Sequence, residues 1–227
     1  MDGSSLIDQL SVAALLAHFS VRSNVERPLQ IKLDSFVGDR VLFLELLRGE
    51  VSRDAHSTKA ALVLRVTKAI NNATLCRVFD ETIASFAASP IMGKARADII
   101  EALLGALVRE GEFARAPMLL DALFLAARIP TNLRYPNMPV ESSGEDIEPY
   151  ASMLVDGLIE LESRLRIVAT YPLPRDIHAE AIGLKEALRS QSLGKKPQAC
   201  QRTRQLAEIF MQNGLESALP LLRSWLL

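Results

Sequence analysis

The stretch MGKARADIIEALLGALVREGEFARAPMLLDALFLAARIP, residues 92–130, constrains the fold more than any other part of the chain. Ile99, Ile100, Leu103, Leu104, Leu107 and Val108 recur at spacings of three and four, with Arg96, Glu101 and Arg109 on the other side. That is the pattern of a helix half-sunk in a core. At Glu110-Gly111 a basic last turn gives way to a glycine, which reads as a helix exit. A second stripe follows: Phe113, Ala116, Leu119, Leu120, Leu123, Phe124 and Ala127. Pro117 falls in its first turn, where a missing N–H costs little because first-turn donors have no partner within the helix. Pro130 lies beyond its end. A connection this short makes the two helices pack antiparallel.

The spacing resembles a tetratricopeptide repeat. Gly111, Phe113 and Ala116 match that motif's turn glycine, the aromatic two residues on, and the small residue where its paired helices touch. Leu104 and Leu123 depart from it by standing where the motif prefers small residues, and the closing proline comes two residues late. A fainter copy ends the chain, where Ala218, Leu221 and Leu222 echo Ala116, Leu119 and Leu120 at an offset of 102 residues. This is three times the roughly 34-residue tetratricopeptide period, with Gly214 one place out of step. The resemblance, confined to about residues 97–128 and 206–227, implies stacked helical hairpins that present a binding groove.

Composition points the same way. Hydrophobic residues make up 49%, mostly Leu and Ala, which are strong helix formers, and aromatics only 5%. With 227 residues the chain is long enough to bury a core without staples. A net charge of −1 argues against the basic surface of a dedicated nucleic-acid binder. Cys76 and Cys200 are too far apart in sequence for a disulfide framework or a metal cluster, so a reducing, cytoplasmic location is expected. The first twenty residues lack a basic leader, and no run approaches eighteen apolar residues. A soluble chain without a membrane span is expected.

In chain order, a first helix is expected from Ser4 or Ser5 to about Ser20, and residues 21–35 read as an irregular connector with an extended hint at Leu29, Ile31 and Leu33. Asp34 or Ser35 then caps a helix ending at Gly49, Asp54 or Ser57 opens another that closes at Asn71-Asn72, and Thr74 caps a third that stops before Pro90. Residues 57–89 thus form a helical hairpin just before the central one. The segment 129–145, with three prolines, reads as a linker or long surface loop. It separates an N-terminal lobe, 1–128, from a C-terminal lobe, 146–227, unless the two form one continuous domain. A long helix over 146–170 carries Ile147, Leu154, Leu161 and Val168 at heptad spacing, a seam for the chain's own core or for a homodimer. Asp176 opens a helix to about Arg189, and SQSLGKKP turns the chain into two last helices. The apolar end, Trp225, Leu226 and Leu227, is expected to pack on the preceding helix or on a second subunit. The whole reads as all-α: stacked antiparallel hairpins, solenoid-like or an irregular bundle, of about eight or nine helices.

No spacing names a reaction. His18, His56 and His178 lie far apart and none stands in a metal-ligand pair. No cofactor, metal or catalytic set is expected. Cys76 reads as a buried inert thiol, whereas Cys200 has Lys195, Lys196, Arg202 and Arg204 around it. Residues 141–162 carry seven acids and no base, while 185–204 carry Lys185, Arg189, Lys195, Lys196, Arg202 and Arg204 against Glu186 alone. The basic segment reads as a face that complements the acidic helix or as a holder of phosphates. Tyr135 and Met138 in the long loop and Trp225 at the end join these six basic residues as candidates for contact with a partner. The function expected is a non-catalytic scaffold or adaptor domain that binds a protein in a groove between hairpins. Two further readings stand beside it. One is a helical nucleoprotein or matrix-like protein that contacts RNA through the basic C-terminal face, and the other is a helical effector-type enzyme domain using Cys200 or an arginine.

Overall fold

The computed structural model describes residues 27–54, 56–86, 90–129, 144–170, 176–193 and 196–227. Among the described residues the fold is all-α, with nine helices and no strand. They are α1 Arg27–Arg53, α2 Lys59–Ala69, α3 Asn72–Thr82, α4 Ala95–Arg109, α5 Arg115–Ala126, α6 Gly144–Ala169, α7 Ile177–Leu193, α8 Lys196–Asn213 and α9 Leu215–Trp225. A single 3-10 turn spans Ala84–Phe86. The helix expected over 4–20, the loop residues Tyr135 and Met138, and Lys195 lie outside the described residues.

Several boundaries differ from the expectation, each for a local reason. Residues 27–35 are not a connector but the opening of α1, with Pro28 in the first turn where the helix tolerates it. Leu33, Val37, Val41 and Leu44 then follow at spacings of four, four and three, all buried, which is helical rather than extended spacing. Ser35 is therefore inside the helix instead of capping it. Gly49 does not end α1 either: it is buried within a helix that runs on to Arg53. Thr58, not Asp54 or Ser57, caps α2, its Oγ1 accepting from the Ala61 N–H at 3.2 Å. Asn71, not Thr74, caps α3, its side chain accepting from the Thr74 N–H at 2.8 Å. The α3 helix stops at Thr82, so the hairpin expected over 57–89 is two short helices. The packing of α3 is forward, onto α4 and α5. The turn expected over 190–197 is shorter, because α7 continues to Leu193 and α8 opens at Lys196.

The chain divides into two compact units, residues 1–45 with 64–134 and residues 46–63 with 135–227. The division is thus not a single cut in the 129–145 loop: residues 46–63, from the end of α1 to the start of α2, go with the C-terminal residues. In the first unit α4 and α5 form the expected antiparallel hairpin, and the stripes Ile99–Val108 and Ala116–Ala127 are buried. At the turn, Gly111 takes a left-handed φ of 82°. Its N–H reaches Val108 O at 3.1 Å and the Glu112 N–H reaches Leu107 O at 2.8 Å, the two bonds of a Schellman cap. The first part of α1 crosses α4 in backbone contact. A Cβ added at Gly38 would fall 1.8 Å from Glu101 O, and one at Gly105 would fall 1.8 Å from Asp34 O.

In the second unit α6 packs on α7, α8 and α9, and α8 on α9. Ile147, Leu154 and Leu161 are buried there, so the heptad seam is occupied inside the chain, with Val168 only partly covered. A homodimer through 146–170 would have to draw on a stripe already used. Of the C-terminal apolar end, Leu226 packs as expected and its carbonyl accepts from Gln191 at 2.6 Å, Trp225 is only partly covered, and Leu227 is fully exposed.

Candidate functional site

The basic segment is the first candidate that the sequence names, and the second unit shows what its side chains do. Lys185 on α7 reaches Glu160 on α6 at 3.2 Å, and Arg189 reaches Asp156 at 3.0 Å. Glu160 also accepts from Arg164, one turn along its own helix, at 2.8 Å. Glu160, Arg164, Lys185 and Arg189 line a cleft of about 380 Å³ between α6 and α7 together with His178, Ala181, Ile182 and Glu186. Arg202 on α8 donates to Ser192 O at 3.1 Å and lies 5.6 Å from the centroid of the Trp225 ring. Arg204 pairs with Glu208 at 3.0 Å. Four basic side chains and Trp225 are thus engaged inside the unit, and the acids that meet two of them come from the helix that the sequence showed as acidic. Lys196 opens α8.

Buried charge in this unit centres on Glu162, which is 3% exposed and accepts from Arg166 at 3.1 Å and from Arg223 of α9 at 2.8 Å. Desolvating a carboxylate is tolerated when two guanidinium groups meet it. Glu162 counted in the sequence only as one of seven acids, and no spacing rule joins it to Arg223, 61 residues later.

In the first unit an open hollow of about 650 Å³ is lined by Asn72, Cys76, Arg77, Asp80, Lys94 and Arg96, among others. Arg96 donates to Asp80 at 2.5 Å and to Gly93 O at 3.4 Å, and the Cys76 thiol approaches the same carbonyl at 3.5 Å. Cys76, expected to be buried, is only partly so, and folding sets Arg96 near it in addition to its sequence neighbour Arg77. Cys200 is exposed on α8. Among the described residues no group of three His, Cys, Asp or Glu side chains is arranged to hold a metal, and no helix is long and apolar enough to cross a membrane.

The feature the sequence reading passed over is the outer side of α5. Its inner side fills the hairpin, yet Met118 and Leu125 are 54% and 59% exposed. With Ala122 they follow one line along the helix at spacings of four and three, all at least partly exposed, and Ile129, past the helix end, is partly exposed as well. Between Arg115 and Arg128 the only charge is Asp121. A helix that is apolar all round belongs in an interior. At its C-terminal end the Arg128 N–H bonds Leu125 O and the Ile129 N–H bonds Phe124 O, both at 3.0 Å, repeating the Schellman cap of α4. Here the left-handed residue, at φ 52°, is the exposed Arg128 in place of a glycine. The signal was in the sequence, as apolar residues off the core stripe; only the burial of the opposite side shows which of them face outward. The chain matches no family model, no curated protein and no solved structure.

Proposed function

We propose that the chain is a non-catalytic protein-interaction domain, a scaffold or adaptor, and that a partner docks on the outer face of α5. The observation that supports this reading is the exposed line Met118, Ala122 and Leu125 on a helix whose other side is already core. Left in water, such a line forgoes roughly 25 cal/mol for each Å² of apolar surface that a partner would cover. A stable interface of standard size takes about 20–30 residues a side. One helix face is narrower than that, and its anchors at i, i+4 and i+7 match the face of a single amphipathic helix. The occupant is therefore a helix of another protein. The charge next to the line is Arg128, at the negative end of the α5 dipole, so the docked helix carries an acid at the matching end.

Replacing Met118 with a photo-crosslinking residue in the full chain tests this. The crosslinked partner peptide should be amphipathic, with an acid at one end of its apolar stripe. Leu125→Glu in the crosslinking chain should abolish the crosslink, and the melting temperature should stay within a few degrees of wild type, since that side chain is exposed. Crosslinking to a second copy of this chain, or a crosslink that survives Leu125→Glu, would refute the reading.

A further inference from the structure

With the outer face of α5 as a docking site for an amphipathic helix that carries an acid near Arg128, the chain itself holds a segment of that description. In residues 4–20 the line Leu6, Leu10, Ala13 and Ala17 advances at spacings of four, three and four, one face of a helix. Asp2, four residues before Leu6, continues that line, whereas Asp8 falls on the opposite side. No other stretch outside the described residues has this form. Residues 130–143 hold Pro130, Pro136 and Pro139, residues 171–175 hold Pro172 and Pro174, and the remaining stretches run to three residues at most. The direction of α1 brings the segment to the right end of the hairpin. Asp34 lies against Gly105 and Gly38 against Glu101, so α1 runs antiparallel to α4. Arg109, at the end of α4, donates to Asp34 at 2.8 Å. The start of α1 at Arg27 therefore points past that end, to the turn at Gly111 from which α5 sets out.

We propose that residues 4–20 dock on the outer face of α5 of their own chain, and that a partner helix binds by displacing them. The displacement rests on the reading of α5 as a docking face; the contact within the chain stands or falls by itself. Residues 21–26 join the segment to α1 and span up to about 20 Å when extended. Met118, one turn into α5, is within that span of the hairpin's end. From there the segment runs antiparallel to α5, and as a helix of about 25 Å it covers the full length of α5. In that register Ala17 meets Met118, Ala13 meets Ala122 and Leu10 meets Leu125, a small residue against the methionine and two leucines side by side. Asp2 then lies just past Arg128, which is exposed at the negative end of the α5 dipole. A short link holds the segment beside its site at an effective concentration on the order of millimolar, so a contact too weak between separate molecules is populated within one. A partner helix must outcompete it, and whatever draws the segment away opens the site.

The test is made on the purified full chain with a photo-crosslinking residue at Met118, irradiated as an equal mixture of isotopically heavy and light copies. Position 118 should join to a peptide from residues 1–22, in light–light and heavy–heavy products alone. Leu10→Glu should lower that yield several-fold. Arg128→Glu should lower it too, and Asp2→Arg in the Arg128→Glu chain should restore it. No product in residues 1–22, a mixed heavy–light product, or a yield unmoved by Leu10→Glu would overturn the proposal. Irradiation in extract of the native cell separates the internal contact from the docking reading. There Leu10→Glu should raise the yield of the partner crosslink, and an unchanged yield would overturn the displacement. A partner crosslink without the internal one sinks the proposal and keeps the docking reading. The internal crosslink with no partner product, even in the Leu10→Glu chain, keeps the internal contact and sinks the docking reading.

Discussion

Gly111 and Arg128 hold the same place in two copies of one capping motif, and the comparison isolates what a side chain costs there. Both are left-handed, at φ 82° and 52°. A Cβ in that region meets the following carbonyl, at about 1–2 kcal/mol. Nothing lies within 4 Å of a Cβ added at Gly111, so Gly111→Ala isolates the backbone cost: urea unfolding should show a loss of about 1 kcal/mol. Arg128→Gly should act in the opposite direction. It relieves the same strain, offset in part because glycine frees the unfolded chain, so a gain of up to about 1 kcal/mol is expected. If the side chain of Arg128 meets an acid on a partner, that gain in stability comes with weaker binding.

Between helices, the α1–α4 crossing and the α6–α9 contact show opposite solutions to close approach. At the first, two glycines let backbones touch. Gly105→Ala puts a methyl 1.8 Å from Asp34 O, a backbone atom with no rotamer to yield. The loss should reach or exceed the upper end of the roughly 1–3 kcal/mol usual for overpacking, read as a lower urea midpoint. At the second, Glu162 is buried between two arginines. Arg223→Ala leaves it with Arg166 alone and should cost about 1.5–3 kcal/mol, the range for a hydrogen bond to a charged group. Glu162→Gln in the Arg223→Ala background should recover part of that loss, because the orphaned charge is then gone. No recovery would mean that Arg223 contributes through its packing.

For the molecule as a whole, each unit carries its own kind of polar control. The second unit compensates its charges helix against helix, Lys185 with Glu160 and Arg189 with Asp156, in partly exposed pairs that added salt will screen. The first unit instead half-buries the Glu101 carboxyl, whose desolvation pushes it from 4.5 up to about 7, and exposes an apolar helix face. A carboxyl raised on folding binds a proton more tightly in the native state, so its contribution is full below the unfolded value near 4.5 and is lost as pH rises through about 7. Thermal unfolding of the full chain from pH 5 to 8 should therefore show a loss of stability with rising pH that Glu101→Gln removes. Raising salt at fixed pH should leave that loss largely in place, because its main cause is desolvation rather than pairing.

What the sequence determined by itself was local. Apolar residues every three or four positions, Gly111 after a basic turn and Asp176 before a helix are signals that neighbours in the chain suffice to write. They foretold the all-α class, the central hairpin and the internal burial open to the 146–170 seam. The tertiary structure alone decided whatever joins distant residues or chooses between two local options. Gly49 looked like a stop because glycine often ends a helix, but its burial keeps α1 running to Arg53. Ser35 looked like a cap, and its hydroxyl is spent on Glu101, 66 residues away. The basic segment was legible as charge, while its partners were not, because ion pairing depends on which helix faces which. The same limit applies to α5. Its composition is apolar on every side, and only packing against α4 determined which side was left in water.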